Sequence, residues 1–270
     1  MKIQIAGLSH PGNVRESNDD HFSIGQAVSQ KTSLHQTVET TSSEFQKHGV
    51  LLAVADGMGG YAGGEIASRT FLEALTKAFY ANPLPRLSAP DAGDFLRICL
   101  NVACEAVVNR LNKKRELEEG GTTVAGLALF PPDVAVVFHI GDSRVLRVNG
   151  RFLRPLTVDH TLVGADVAAG LMTEEEAMLD PEMRALTRSV GIMGTNDAEI
   201  NHELFWSQND RFIICTDGLH GVGRSLNAHD IREAAMEELD TALLTNRLVS
   251  MALGKGGQDN ITCIVAQIVN

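Results

Sequence analysis

The stretch from Thr122 to Leu156 places the strongest constraint on the fold. Short apolar runs alternate there with turn residues, and the last two runs flank Asn149-Gly150. Asn-Gly between apolar runs is the strongest short-range signal for a two-residue β-hairpin. Hairpins join antiparallel strands, whereas parallel strands need a crossover of a dozen or more residues. The stretch therefore predicts an antiparallel meander rather than a series of βαβ units.

Two helix pairs interrupt the predicted strands. The first pair is predicted at Gly64 to Tyr80 and at about Ala92 to Glu118, and the second covers about 227–253. The buried stripe of the second helix is predicted to consist of Phe95, Ile98, Cys99, Val102, Ala106 and Leu111. Further strands are predicted at about 2–8, 20–25, 50–55, 199–206, 211–216 and 261–268. This order predicts an α+β sandwich, with stacked antiparallel sheets and helices outside.

The chain shows no internal repeat and no domain boundary, so residues 1–270 are expected to form a single domain. Residues 27–47 are rich in Ser, Thr and Gln and are interpreted as a surface insertion. The net charge of -11 argues against nucleic-acid binding, which rewards clustered Lys and Arg. The sequence carries neither a signal peptide nor a run of ~18 apolar residues, so we expect a cytoplasmic protein away from the membrane.

Aspartates recur where an apolar strand meets a turn. Asp56, Asp142 and Asp217 each end such a strand, and Asp259 precedes the last one. Each alone could simply begin a turn, but several buried carboxylates destabilise a fold unless they are paired or metal-bound. Together with Asp19-Asp20 they favour a metal site. Oxygen ligands without nearby His or Cys indicate Mg²⁺ or Mn²⁺ rather than zinc.

A phosphate is the substrate group that such a site would suit. Two ions sharing one carboxylate can activate water and clamp a phosphoryl oxygen. The phosphate also needs a cation that binds it bidentately, and arginine does this best. Arg15, in the loop before Asp19, is the natural candidate.

Several motifs occur in the order that is typical of the protein phosphatase 2C family, which the chain resembles almost end to end. They are Arg15-Glu16-Ser17-Asn18-Asp19-Asp20, Asp56-Gly57-Met58-Gly59-Gly60, Gly121-Thr122-Thr123, Ile140-Gly141-Asp142-Ser143-Arg144, Thr216-Asp217-Gly218-Leu219 and Asp259-Asn260-Ile261-Thr262. Two further stretches, Leu156 to His160 and Leu186 to Gly191, resemble those around the family's flap. With its helix pairs, the chain is expected to form a four-layer α-β-β-α sandwich.

The resemblance implies a dinuclear Mn²⁺ or Mg²⁺ centre with a weaker third site. Asp56 would bridge the two catalytic ions, and the Gly57 carbonyl would add a ligand to one of them. Asp217 and Asp259 would complete the other site. Asp142, together with Asp217, would offer the third.

The resemblance also implies the reaction, which is hydrolysis of phosphoserine and phosphothreonine in proteins without a covalent intermediate. Arg15 would hold the substrate phosphate. Asp19 and Asp20 would act through metal-bound water, with Asp20 orienting the nucleophile. Residues 161–188 would form a flap that shapes access. The expected partners are phosphorylated proteins, the substrates of a Ser/Thr kinase, and the chain is expected to be a monomer.

Two departures from the family pattern leave the proton donor open. Family members often carry Glu where Asp19 stands, so the water-mediated reach of this shorter side chain is in question. The histidine that relatives place just after the bridging aspartate is replaced by Met58 or, in the bacterial pattern, by Tyr61. His160 and a metal-bound water are the two candidates for the general acid.

Three rival readings fit less of the sequence. Gly57 to Ala62 match G-x-G-x-x-A, but Asp56 would face the pyrophosphate and further βαβ units are missing. Cys104 and Arg110 match C-x5-R, but the residues between them read as helix rather than as a phosphate loop. A catalytically inactive binding module would be expected to have lost a metal aspartate.

Overall fold

The protein is described by a computed structural model that covers residues 1–30, 33–59, 62–84, 87–113, 117, 119–173, 176–177, 182, 185–191, 197–221 and 225–270. The strands in these ranges are β1 (Lys2–His10), β2 (His21–Ile24), β3 (Ala27–Ser29), β4 (Leu34–Glu39), β5 (Val50–Ala55), β6 (Gly57–Met58), β7 (Gly121–Thr122), β8 (Val124–Phe130), β9 (Val134–Ile140), β10 (Arg144–Asn149), β11 (Phe152–Pro155), β12 (Glu199–Phe205), β13 (Arg211–Cys215) and β14 (Ile261–Val269). The helices are α1 (Ser43–His48), α2 (Gly63–Phe79), α3 (Ala89–Leu111), α4 (Gly164–Ala168), α5 (Asp217–His220), α6 (Ala228–Glu237) and α7 (Thr241–Gly254).

The strands form two antiparallel sheets and a short ribbon of β6 with β7. The first sheet has the order β11-β10-β13-β14-β1-β4, and the second has the order β12-β9-β8-β5-β2-β3. The predicted meander is present but divided, because β8 and β9 belong to the second sheet while β10 and β11 belong to the first. The chain therefore crosses between the sheets at the turn that holds Asp142.

The layers pack as an α-β-β-α sandwich, which confirms the predicted fold class. Side chains from both sheets fill the space between them, including Phe22, Leu52, Phe212 and Ile264. Helices α2 and α3 cover the outer face of the second sheet, and α6 and α7 cover that of the first. Burying both faces of each sheet removes apolar surface from water, which is the dominant favourable term in folding.

Capping side chains fix where the helices begin. Ser88 accepts a hydrogen bond from the backbone N–H of Asp91 at the start of α3. Asn227 and Asp230 form a reciprocal capping box at α6, and Asp240 caps α7. Each such cap satisfies backbone N–H groups that have no partner within the helix. None of the described helices is long and apolar enough to cross a membrane.

The predicted buried stripe of α3 is partly wrong. Ile98 and Val102 are 65% and 46% exposed, while Cys99 and Leu111 are buried as predicted. The buried face consists of Leu96, Cys99, Leu100, Ala103, Cys104, Val107 and Leu111, at helical spacings of three and four. Ile98 and Val102 also lie four residues apart, so their spacing did not distinguish the two faces.

Residues 27–47 are more integrated than the predicted surface insertion. β3 pairs with β2 at the edge of the second sheet, and β4 pairs with β1 at the edge of the first. In α1, Phe45 is buried against Trp206, with the ring centroids 6.1 Å apart. Polar, exposed strands are typical of sheet edges, which is why the segment lacks the apolar alternation of a core strand.

Candidate metal centre

Sheet topology brings five aspartates to one edge of the sandwich. Asp56 ends β5, and Asp20 precedes β2, which pairs with β5 in the second sheet. Asp217 follows β13 and Asp259 lies before β14, and these two strands pair in the first sheet. Asp142 lies in the turn between β9 and β10. Residues far apart in the chain thus meet where the two sheets face each other.

The charges of these aspartates oppose one another. Burial, followed by the charges of Asp20, Asp217, Asp142 and Asp259, raises the pKa of Asp56 well above 3.8. Burial is also the largest cause that raises the pKa of Asp20 to about 7 and that of Asp142 to about 8. Without cations the cluster must therefore hold protons near neutral pH. Bound cations would neutralise the negative charge of these aspartates.

Asp20 is held at one oxygen and open at the other. Its Oδ2 accepts hydrogen bonds from the hydroxyls of Thr216, at 2.9 Å, and Thr262, at 2.7 Å. Its Oδ1 is buried and accepts no hydrogen bond from other groups in the described part of the chain. The one exception is the neighbouring Asp56 carboxyl, which can share a hydrogen bond with Asp20 when one of the two is protonated. A buried carboxylate oxygen without a donor is costly unless a cation or water reaches it. The open oxygen fits the predicted water-mediated role.

Two glycines allow the backbone to pack closely behind the aspartates. A Cβ on Gly57 would lie 2.3 Å from the carbonyl oxygen of Gly64, and one on Gly218 would lie 1.9 Å from that of Asn260. The Asp56 carbonyl accepts hydrogen bonds from the Thr122 hydroxyl, at 2.8 Å, and from the backbone N–H of Thr123, at 2.9 Å. The backbone on both sides of the centre is therefore fixed. Only glycine fits at either position.

Arg15 lies on the rim of the cluster. Its Nη2 donates a hydrogen bond to Oδ2 of Asp259 at 2.6 Å, and its side chain is 57% exposed. That hydrogen bond is the largest cause that raises the pKa of Arg15, and the charges of Asp56 and Asp217 add to it. The guanidinium therefore faces the cluster and solvent at once.

Asp19 is fixed through its backbone. Its N–H donates to Oδ1 of Asn260 at 2.7 Å, and its carbonyl accepts a hydrogen bond from the Ser68 hydroxyl at 2.6 Å. Ser68 in turn contacts Nδ1 of the buried His21 at 2.9 Å. The peptide that leads into Asp20 is thus held by Asn260, just before β14, and by Ser68 in α2, while the role of the Asp19 carboxylate stays a prediction.

Sequence reasoning missed the side chains that position the aspartates. Nδ2 of Asn260 donates to the carbonyls of Pro11 and Ser17, at 2.9 and 2.8 Å, so this residue links Asp259 to the loop that carries Arg15. Asn260 and the two threonines that hold Asp20 all lie inside the motifs quoted above. Their only sequence signal is that they lie within three residues of an aspartate, which does not reveal their partners.

His160 lies in a different cluster from the aspartates. Its ring stacks on His139 at 4.3 Å, its Nδ1 accepts a hydrogen bond from the Gly141 N–H at 3.1 Å, and its Nε2 faces Glu199 at 3.4 Å. Burial, then the charge of His139, lowers the pKa of His160 to about 4. A neutral ring bonded in this way holds the turn before Asp142 and does not fit a general acid at neutral pH. Met58 supplies no acid, and Tyr61 lies outside the described residues.

The donor set fits hard divalent cations. All the converging side chains are carboxylates, and oxygen ligands are those that Mg²⁺ and Mn²⁺ take in proteins. The raised pKa values of Asp56, Asp20 and Asp142 identify the charge that the cations would neutralise. Asp56 interacts with all four other carboxylates, so it has the position expected of a bridging ligand.

Comparison with known proteins agrees with this geometry. Residues 39–253 match the family model described as Protein phosphatase 2C. The chain is 32% identical over 223 residues to the serine/threonine protein phosphatase PstP of Mycobacterium tuberculosis, which covers 82% of this chain and 40% of that protein. It is 28% identical over 222 residues to the serine/threonine phosphatase stp of Listeria monocytogenes, covering 80% of this chain and 84% of that one.

Solved structures extend the likeness to the whole fold. The catalytic domain of PstP in complex with two manganese ions superposes with a TM-score of 0.77 at 27% identity, covering 100% of both chains. The chain spans about 40% of the full length of the mycobacterial relative that it matches in sequence. By the family model, the shared sandwich and the strand-end aspartates, the chain belongs to the protein phosphatase 2C family.

Proposed function

We propose that the protein is a metal-dependent phosphatase that hydrolyses phosphoserine and phosphothreonine in proteins. The observation that carries the proposal is the convergence of five buried or half-buried aspartates on one point, with Arg15 at the rim. The relatives named above are serine/threonine phosphatases, and the PstP catalytic domain was solved with two manganese ions. Mn²⁺ or Mg²⁺ is the expected cofactor, as two catalytic ions with room for a third.

The geometry and the family pattern support the following ligands. Asp56 would bridge the two ions, and the Gly57 carbonyl would complete one site. Asp217 and Asp259 would hold the second ion, and Asp142 would share a third with Asp217. When bound, the ions supply Lewis acidity that lowers the pKa of water and neutralises phosphoryl charge.

Two side chains then act on the reactants. The open Oδ1 of Asp20 would orient the attacking water and accept its proton, while two threonine hydroxyls keep Oδ2 in place. Arg15 would bind the phosphate through its planar guanidinium, turning from Asp259 towards the oxygens of the substrate. Since water attacks phosphorus directly, no phosphoenzyme forms.

The leaving alkoxide would take its proton from water in the site. His160 has both ring nitrogens in the cluster beside Asp142 and is neutral at pH 7, so it supplies no proton there. Asp19, one methylene shorter than the glutamate often found in the family, would act only through a bridging water.

The setting of the reaction is also part of the proposal. Residues 1–270 would act as one phosphatase domain, working as a monomer on the protein substrates of a Ser/Thr kinase. Residues 161–188 would shape access to the centre. The cytoplasmic location predicted from the sequence stays a prediction.

A peptide assay tests the function. With Mn²⁺ or Mg²⁺, we expect phosphate release from phosphothreonine and phosphoserine peptides and much less from a phosphotyrosine peptide. EDTA should stop the reaction, and mass spectrometry of quenched enzyme should find no phosphorylated chain. A phosphotyrosine preference would contradict the proposed specificity. A folded, metal-loaded protein without turnover would indicate a binding module instead.

A further inference from the structure

A cavity of about 380 Å³ lies beside the aspartate cluster, between residues 157–177 and α5. Two of its lining residues, Asp142 and Asp217, belong to the cluster itself. Arg15 also interacts with Asp217, so the cavity and the arginine flank the same centre. A phosphorylated residue bound at the centre would therefore bring its neighbours in the substrate chain close to this cavity.

Apolar side chains form one wall of the cavity. Val163, Val167, Ala168, Met172 and Ala177 line it from the 161–188 segment, and Val163 and Ala177 are buried. The size is in the range of pockets that hold small ligands or side chains. An apolar wall of this kind gains free energy by releasing water when an apolar group covers it.

The opposite wall is charged but internally paired. Arg144 binds Asp159 through two hydrogen bonds, Nε to Oδ1 at 2.8 Å and Nη2 to Oδ2 at 2.7 Å. Burial alone would raise the pKa of Asp159, but the pairing with Arg144 holds this pKa below its ordinary value. The Arg144 guanidinium is thus already engaged by Asp159, so an acidic side chain would leave water without gaining a cationic partner from this wall. Burying an unpaired charge is costly.

The cavity wall is held in place by close backbone contacts. A Cβ on Gly164, at the start of α4, would lie 1.9 Å from the carbonyl oxygen of Asp159, so the helix packs directly on the paired wall. The backbone N–H of Leu162 donates to the Ala185 carbonyl at 3.2 Å, and that of Thr187 donates to the His160 carbonyl at 2.8 Å. The cavity is thus preformed, which lowers the entropic cost of filling it.

We propose that this cavity is a specificity subsite that takes an apolar side chain of the phosphoprotein substrate, close in sequence to the phosphorylated residue, and rejects an acidic one. The inference rests on the proposed phosphatase function. It names the substrate class: phosphothreonine or phosphoserine segments with an apolar neighbour.

A peptide series tests the subsite. Phosphothreonine peptides of equal length carry Leu, Ala or Asp at each position around the phosphothreonine, and kcat/KM is measured with Mn²⁺. At one position Leu should exceed Ala by about ten-fold, as expected for a filled apolar pocket, and Asp should fall below Ala. Equal rates for Leu, Ala and Asp at every position would overturn the proposal.

A matched pair of variants locates the effect. Ala168 lines the cavity, whereas the next residue, Ala169, does not; both are exposed, so Phe at either position should leave folding intact. Ala168→Phe should remove most of the ten-fold Leu preference, measured as the ratio of peptide to aryl phosphate turnover, and Ala169→Phe should retain it. Survival of the preference in Ala168→Phe would overturn the proposal.

The aryl phosphate arm separates this inference from the proposed function. If the wild-type protein hydrolyses aryl phosphate but does not discriminate among the peptides, the subsite is wrong and the function stands. If it hydrolyses neither, the function is wrong, and fluorescence anisotropy of the same labelled peptides still tests the cavity. Tighter binding of the Leu peptide to wild type than to Ala168→Phe would support the subsite, and equal binding would overturn it.

Discussion

The aspartate centre and the 161–188 segment border one cavity, but they are held in different ways. The aspartates sit at the ends of strands that belong to two continuous sheets. The described part of the segment includes one short helix, α4, and hydrogen bonds from its loops join it to its surroundings. The groups proposed to react are therefore placed by the two sheets, whereas the proposed substrate selectivity depends on a connecting segment, the part of a fold that commonly carries binding residues.

Asp56→Asn should produce the largest effect, because it removes the shared carboxylate of the strand-borne centre. Bound ions contribute several kcal/mol to the transition state, so activity should fall by roughly a thousand-fold or more. Circular dichroism should show an intact fold. The matched control is Asp166→Asn, in the 161–188 segment, which should keep nearly full activity. Comparable losses in both variants would break the distinction between the two regions.

Thr262→Val removes one of the hydroxyls that hold Asp20. Residues that orient the groups at a metal site by hydrogen bonding typically contribute about ten- to a hundred-fold to activity. We therefore expect kcat to fall by about that factor while KM changes little. Thr245→Val is the control, because Thr245 is buried in α7 and its hydroxyl bonds to the Thr241 carbonyl, away from the centre. If both variants behaved alike, the loss would reflect buried hydroxyls in general rather than the position of Asp20.

Arg15→Ala should mainly raise KM, because the guanidinium binds phosphate in the ground state and in the transition state alike. Loss of a charge-assisted hydrogen bond predicts a change of about ten-fold or more. Arg15→Lys, which keeps the charge but not the planar fork, should fall between wild type and Arg15→Ala. Steady-state kinetics on a phosphothreonine peptide measures both constants. An unchanged KM would remove Arg15 from the site.

The smallest expected effect is a pH dependence of stability in the metal-free protein. Burial raises the pKa of Asp20 from 3.8 to about 7 and that of Asp142 to about 8. Between the unfolded pKa of 3.8 and these raised values, the folded chain keeps protons that the unfolded chain has lost. The free energy of unfolding is therefore highest at low pH and decreases as pH rises through this range. The Tm of EDTA-treated protein should therefore fall by several degrees from about pH 5 to pH 8.

Manganese provides the control for this titration. Cations neutralise the same carboxylates, so added Mn²⁺ should abolish the fall in Tm. A Tm of the metal-free protein that rose over the same range would contradict the charge repulsion inferred for the centre. Wild type and Asp166→Asn should give the same curve, because Asp166 is an exposed residue of α4.

Much of the centre could be predicted because its signals are local. A strand-end aspartate followed by a turn residue is visible within a few residues, and the recurrence of such aspartates favoured a shared metal site. The partners of Asp20 and Asp19 could not be predicted, because Thr262 and Asn260 reach them only after β14 is placed in the first sheet. Neighbourhood in the chain gave no sign of contacts made across the sandwich.

The misjudged parts of the fold have a related cause. On α3 the residues Ile98 and Val102 have the same spacing as a buried stripe, and only the position of the second sheet decides which face is covered. The edge strands β3 and β4 are polar because one side of each faces solvent. The cavity could not be predicted from the sequence, because its walls come from three separate stretches of chain that only the fold brings together.

The converging aspartates are proposed to drive phosphate release by holding cations. The most direct measurement titrates Mn²⁺ into metal-free protein while bound metal and phosphate release from a phosphothreonine peptide are followed together. No release is expected without metal, and activity should rise as a second ion binds, in line with the two manganese ions of the PstP catalytic domain. Full activity in the EDTA-treated protein, or activity that does not follow occupancy, would contradict this proposal.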